Sequence, residues 1–125
     1  MQKSTPEYLA QCRNALNVEQ TKSLSETNNW SHVNKQQVHI DWDVLYIRLA
    51  TMLESAQAAS PLIQEIMAQH YAIASRFYVP SREAYIGMGL FYNDNKDMKD
   101  FHNAYHPNMV EFLGEAIYVY AQRNL

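Results

Sequence analysis

The chain has one cysteine, Cys12, among 125 residues. An internal disulfide is excluded, and a lone thiol fits most simply with a reducing compartment. Glycine and proline are scarce, at 3 and 4 residues, too few for a turn-rich β-sandwich. An excess of positive charge is also missing. Ten Lys and Arg stand against 13 Asp and Glu, a formal charge of −3. Protonating all 5 histidines would bring it only to +2 (−3 plus 5), far from a nucleic-acid footprint, so no direct nucleic-acid partner is expected. No apolar run approaches the ~20 residues that span a bilayer. The opening stretch from Met1 to Glu7 has no signal-peptide core. A cytoplasmic, soluble protein without a membrane partner is the expectation.

What is present is apolar and aromatic. Hydrophobic residues make up 47% of the chain, with 9 Tyr, 4 Phe, 2 Trp and 6 Met. The length allows one domain, residues 1–125. Surface scaling gives a folded area of about 6,900 Å² against roughly 21,000 Å² unfolded, enough burial for a core without staples. The surplus of tyrosine and methionine suits either that core or an adaptable pocket.

Helical spacing dominates the chain. Thr5, Pro6 and Glu7 form an N-cap and first turn, followed by Tyr8, Leu9, Cys12, Ala15 and Leu16 at helical steps. Residues 17–29 are polar and read as a loop or a weak helix. Asn29 or Ser31 then caps a helix reaching about Ser55, roughly 35 Å long. It carries Trp30, Trp42 and Tyr46 and so borders whatever cleft exists. Ser60-Pro61 opens a helix through Ile63, Ile66, Met67, His70, Ile73 and Phe77, ended by Val79-Pro80. Ser81 caps the next, with Ala84, Tyr85, Met88 and Phe91 on its apolar face, until Asn93-Asp94-Asn95 breaks it. A short helix with Met98, Phe101, His102 and Tyr105 follows, and His106-Pro107 starts the last one. No alternating strand pattern occurs.

Few constellations carry chemistry. His102 and His106 have the i, i+4 spacing of a helical metal pair, but Pro107 puts them on different elements, which makes them surface or capping histidines. His32, His39, Asp43 and Glu54 read as a solvated polar face, since no Glu-x-x-His pattern exists. Cys12 sits on an apolar stripe as a buried structural thiol. Gly87-Met88-Gly89 lies inside a helical pattern without the strand a phosphate loop needs. No nucleophile elbow is present, and neither an enzyme nor a cofactor is expected. A metal or haem site around His70 and His102 is the weakest of the readings. The remaining signal is aromatic: His70, Tyr71, Phe77, Tyr78, Tyr85, Phe91, Tyr92 and Tyr105 fall within 36 residues. Their hydroxyls need partners when buried, and a ring-lined cleft with polar tips provides them.

From Trp30 onward the chain resembles the TipAS antibiotic-recognition domain. The matching residues are His70-Tyr71, Phe77-Tyr78, Glu83, Gly87-Met88-Gly89, Tyr92, His102-Asn103, Pro107, Met109, Phe112, Leu113, Ala116-Ile117 and Tyr120-Ala121. The resemblance implies an all-α, globin-like bundle of about five to six helices with a ligand groove. It implies recognition of a hydrophobic or aromatic small-molecule or peptide antibiotic, including thiazole types. The domain would be free-standing, as Met1 suggests, or the effector half of a MerR-type transcriptional regulator. Family members capture thiostrepton through a cysteine whose position here is Pro80, so covalent capture does not carry over. Asn108 replaces a usual glycine, and Met98 replaces a usual aromatic. The expected groove residues are Trp30, Trp42, His70, Tyr71, Phe77, Tyr78, Tyr85 and Tyr92. Residues 1–29 are expected to act as a mobile N-terminal lid, and the protein to be a monomer or weak dimer. The competing reading is a structural or protein-interaction helical domain whose aromatics are all core.

Overall fold

The computed structural model describes residues 4–125, so residues 1–3 of the expected lid lie outside the described part. Among the described residues there are six α-helices and no strand: α1 (Pro6–Glu26), α2 (Lys35–Ala50), α3 (Pro61–Ala74), α4 (Arg82–Asp94), α5 (Lys96–Asn103) and α6 (Met109–Asn124). The exposed surface is 7162 Å², close to the scaling value of about 6,900 Å². This is an all-helical bundle consistent with a globin-like arrangement. No helix is long and apolar enough to cross a membrane.

Helix α4 is the hub, packed on α1, α6 and α5, while α3 bridges α6 and α2. Its central position follows from its sequence. Ala84, Tyr85, Ile86, Gly87, Gly89, Leu90 and Tyr92 are all buried, so apolar contact runs almost around the helix. Gly87 allows the closest approach, since a Cβ there would lie 2.3 Å from the Cys12 carbonyl oxygen. Cys12 and Leu16 of α1, Leu45 and Leu49 of α2, Ile63, Ile66 and Met67 of α3, and Met109, Leu113 and Ile117 of α6 join α4 in the core.

The caps largely follow the sequence. The Thr5, Ser81 and Asn95 side chains accept from the backbone N–H of Tyr8, Ala84 and Met98. Ser60 precedes α3, yet its hydroxyl makes no cap bond. Three elements differ from expectation, one of them α3, which ends at Ala74 and leaves Phe77 outside the helix expected to carry it. Next, α1 continues to Glu26 through the polar stretch read as a loop or weak helix. Partners distant in sequence hold it there: Glu19 accepts from the Ser81 backbone N–H and hydroxyl, and Ser23 accepts from the Trp30 indole. Last, α2 starts at Lys35 with Asn34 as cap, because Asn28, Asn29 and Trp30 all have positive φ (52°, 58° and 61°). A left-handed run cannot continue a right-handed helix. At its other end the Thr51 hydroxyl donates to the Arg48 carbonyl, and turns replace helix through Ser55. The element therefore has 16 residues, about 24 Å rather than 35 Å.

Candidate functional site

The site is built where α3 ends. Ser75 caps α3 at its C-terminus, and Val79-Pro80 forces the chain to leave, so Phe77 and Tyr78 project from a short linker rather than a helix. Trp30 meets Phe77 edge-on at 4.8 Å between centroids. Its left-handed backbone costs about 1–3 kcal/mol for a bulky residue. That cost is offset by its N–H donating to Thr27 Oγ1 at 3.0 Å and its indole N–H donating to Ser23 Oγ at 2.9 Å. From α2, Trp42 stacks on Phe77 at 6.2 Å and on His70 at 5.4 Å.

These rings border two adjoining cavities. The larger, about 180 Å³, is lined by Leu16 and Gln20 of α1, Trp30, Trp42, Ala74, Phe77 and Tyr78, and by Met88, Phe91, Tyr92 and Met98. None of these side chains is charged. The smaller, about 140 Å³, is lined by His39, Trp42, Asp43, Tyr46, Tyr92, Met98, Phe101 and His102. Trp42, Tyr92 and Met98 belong to both, so the two cavities share one wall. Side by side the two approach the low end of the ~300–1,000 Å³ typical of small-molecule sites, and a flexible methionine is the easiest divider to displace.

Behind the groove lies a buried polar chain. His102 Nδ1 is 2.7 Å from the Met98 carbonyl oxygen, which only accepts, so that nitrogen carries a proton. In the neutral ring Nε2 then accepts from the Tyr46 hydroxyl at 3.2 Å. The Tyr46 oxygen in turn accepts from His70 Nε2–H at 3.1 Å. His70 Nδ1 is left to accept from the Tyr85 hydroxyl at 2.8 Å. With both imidazoles neutral, one direction of donation satisfies every member. Burial favours that state: it pushes His70 down to about 3, with His102 repelling the second charge, and it lowers His102 as well. Burial likewise raises the Tyr46 and Tyr85 phenols well above their usual value.

The structure brings five of the eight expected residues to the groove: Trp30, Trp42, Phe77, Tyr78 and Tyr92. His70 stands one layer behind, fully buried under Trp42. Tyr85 is also fully buried and serves the polar chain rather than a concave surface. Tyr71 turns away, with its hydroxyl donating to the Pro80 carbonyl and its ring against Tyr120. His102 is corrected most clearly. It is 1% exposed, not a surface or capping residue, because α5 runs to Asn103 and carries it on the inner face of Met98, His102 and Tyr105. His106 Nδ1 accepts from the N–H of Asn108, the residue ahead of α6, whose own side chain makes no cap bond. Tyr46, on the helix expected to border the cleft, lines the smaller cavity and is 1% exposed at the centre of the polar chain. Sequence reading missed Gln20, Met88 and Met98 as lining. Of these Met88 carried a signal, as part of the matching Gly87-Met88-Gly89 run, and Met98 another, as a departure from the usual aromatic.

Among the described residues no cluster of three or more His, Cys, Asp or Glu is placed to hold a metal. His70 and His102 do meet, through Tyr46, with their ring nitrogens engaged by hydrogen bonds. Cys12 is fully buried, and burial raises its thiol. It is the buried thiol expected from its stripe.

The six helices thus frame a ring-lined groove whose larger cavity carries no charged side chain. The chain belongs to the TipAS antibiotic-recognition domain family, which matches residues 11–120. No curated protein and no solved structure matches it.

Proposed function

We propose that the groove binds a hydrophobic or aromatic antibiotic, of the multidrug or thiazole type, without covalent capture. The carrying observation is the uncharged, aromatic lining of the larger cavity, set against a rigid polar wall. Binding would serve sequestration by a stand-alone protein or sensing by the effector half of a MerR-type regulator. Pro80 offers no nucleophile, and Cys12 is sealed in the core, so the complex is reversible. Thermal unfolding against a panel of aromatic and thiazole-peptide antibiotics tests this. A ligand at 100 times its dissociation constant adds about 2.7 kcal/mol, several degrees for a chain of this size. Intact mass after incubation with a dehydroalanine-bearing thiopeptide should show no adduct. A flat panel, or a stable adduct on Cys12, contradicts the proposal.

One observation supports the alternative of a protein-interaction domain. Ile40, Val44 and Ile47 line one face of α2 at 51%, 59% and 54% exposure. Sedimentation distinguishes the expected monomer or weak dimer from a stable assembly.

The lid also belongs to this proposal. Leu16 and Gln20 make α1 one wall of the larger cavity. Beyond Leu16 only Ser23 of α1 is buried, so the second half of the helix has little apolar burial to offset the ~1–2 kcal/mol per residue of ordering. Amides of residues 17–26 should exchange faster than those of α3 in the free protein and slow on ligand binding. Protection equal to that of α3 without ligand would make α1 a fixed wall and the groove preformed.

A further inference from the structure

Among the described residues, four buried side-chain polar atoms lack a hydrogen-bond partner: Trp42 Nε1, Tyr78 Oη, Ser60 Oγ and Gln64 Oε1. Trp42 and Tyr78 both line the larger cavity. Buried donors without partners are rare, and each one asks for an explanation.

The fold does not need these two donors. Trp42 is held by its ring faces, stacked on His70 and Phe77, and its N–H takes no part in the polar chain behind it. Tyr78 lies on the linker after α3, where a phenylalanine would fill the same space. Burial pushes its phenol up to about 12, so at neutral pH it keeps its proton and remains a donor. Gln20, the amide side chain on the same cavity, makes no side-chain hydrogen bond among the described residues.

We infer that the Trp42 indole N–H and the Tyr78 hydroxyl are the groove's specificity-determining donors, and that the ligand they select is a flat, uncharged ring system carrying a hydrogen-bond acceptor, such as a heteroaromatic nitrogen or an amide carbonyl. The inference rests on the reading of this groove as the ligand site. The physical reason is desolvation. A donor in water must give up a water to bind an acceptor, which reduces the net value of the new bond. These two have already lost water on folding and gained nothing, so an incoming acceptor removes an existing penalty. A ring without an acceptor leaves them as they were. With no charged side chain on the larger cavity, an ion would enter without a counter-charge.

Quinoline and naphthalene provide the test, having the same shape and differing in one ring nitrogen. Each is titrated into the ¹⁵N-labelled full chain at matched concentration, following the two indole N–H resonances. Quinoline should bind ~3–10-fold more tightly, the value of one net hydrogen bond, and should move the Trp42 indole proton downfield. Naphthalene should leave that proton near its free position. Tyr78→Phe should weaken quinoline by a similar factor, leave naphthalene unchanged, and leave the thermal midpoint of the free protein equal or higher. Equal affinities with an unmoved indole proton overturn the inference, as does failure of both probes to bind or a large drop in midpoint for Tyr78→Phe. If quinoline behaves as expected and no antibiotic binds, the donor pair stands and the antibiotic reading falls. If antibiotics bind but the two probes are equivalent, the donor pair falls alone.

Discussion

Gly87→Ala should destabilise the protein by about 3 kcal/mol or more, while Gly89→Ala, two residues along the same helix, should be neutral or stabilising. In an open helix, alanine gains about 1 kcal/mol over glycine. At position 87 the added Cβ would sit 2.3 Å from the Cys12 carbonyl oxygen and 2.9 Å from its carbon. Those are backbone atoms of α1, and no rotamer change relieves the overlap. Overpacking of this kind ordinarily costs 1–3 kcal/mol, and here the remedy is displacement of a whole helix. At position 89 the nearest atoms are 3.5 Å away, ordinary contact. Urea unfolding of the two variants checks the difference in sign. Because Leu16 and Gln20 of α1 wall the groove, Gly87→Ala should also lose ligand binding. A Gly87→Ala protein as stable as the parent would mean that α1 is not seated on α4 as described.

The second large effect is acid sensitivity. His70 is held near 3 in the folded protein, against about 6.5 for a free imidazole. Between those values the unfolded chain binds a proton that the folded chain does not. Stability is therefore full above about pH 6.5 and falls as the pH drops toward 3. At 1.36 kcal/mol per pH unit, His70 alone removes about 2 kcal/mol by pH 5. His102 is shifted in the same direction and deepens the loss. This is a large share of the ~5–15 kcal/mol of a typical domain. Urea midpoints measured from pH 7.5 to 5 should fall steeply for the parent and less steeply for His70→Gln, which starts lower because it breaks the polar chain. Parallel slopes would show that His70 is not the buried neutral group.

The two effects mark what local sequence reveals and what it conceals. His70 was only half legible: its stripe with Ile63, Ile66, Met67 and Ile73 marks the inward face of α3, but it was expected on the groove, and the structure buries it one layer behind. The helix boundaries at Thr5, Ser81 and Asn95 were legible because capping is a contact between near neighbours. The length of α1 was not, since Glu19 and Ser23 find partners 62 and 7 residues away. The left-handed turn at Asn28, Asn29 and Trp30 was hidden because tryptophan gives no local sign of positive φ. His102 was misread because Pro107, five residues on, signals a break without saying how far inside the preceding helix the histidine lies. Within the aromatic cluster, spacing could not separate Tyr85 and Tyr71, which serve the core, from Tyr78 and Tyr92, which line the groove. That division depends on which helix lies opposite, a fact of tertiary packing.

The central claim is that the groove between Trp30, Trp42, Phe77 and Tyr92 takes the ligand. The most direct measurement is a chemical-shift map of the ¹⁵N-labelled chain titrated with the antibiotic giving the largest thermal shift. The largest perturbations should fall on both indole N–H groups and on the amides of Phe77, Tyr78, Tyr92 and Met98, saturating together and reversing on dilution. Perturbations confined to the exposed Ile40, Val44 and Ile47 face of α2, with the groove resonances unmoved, would contradict it.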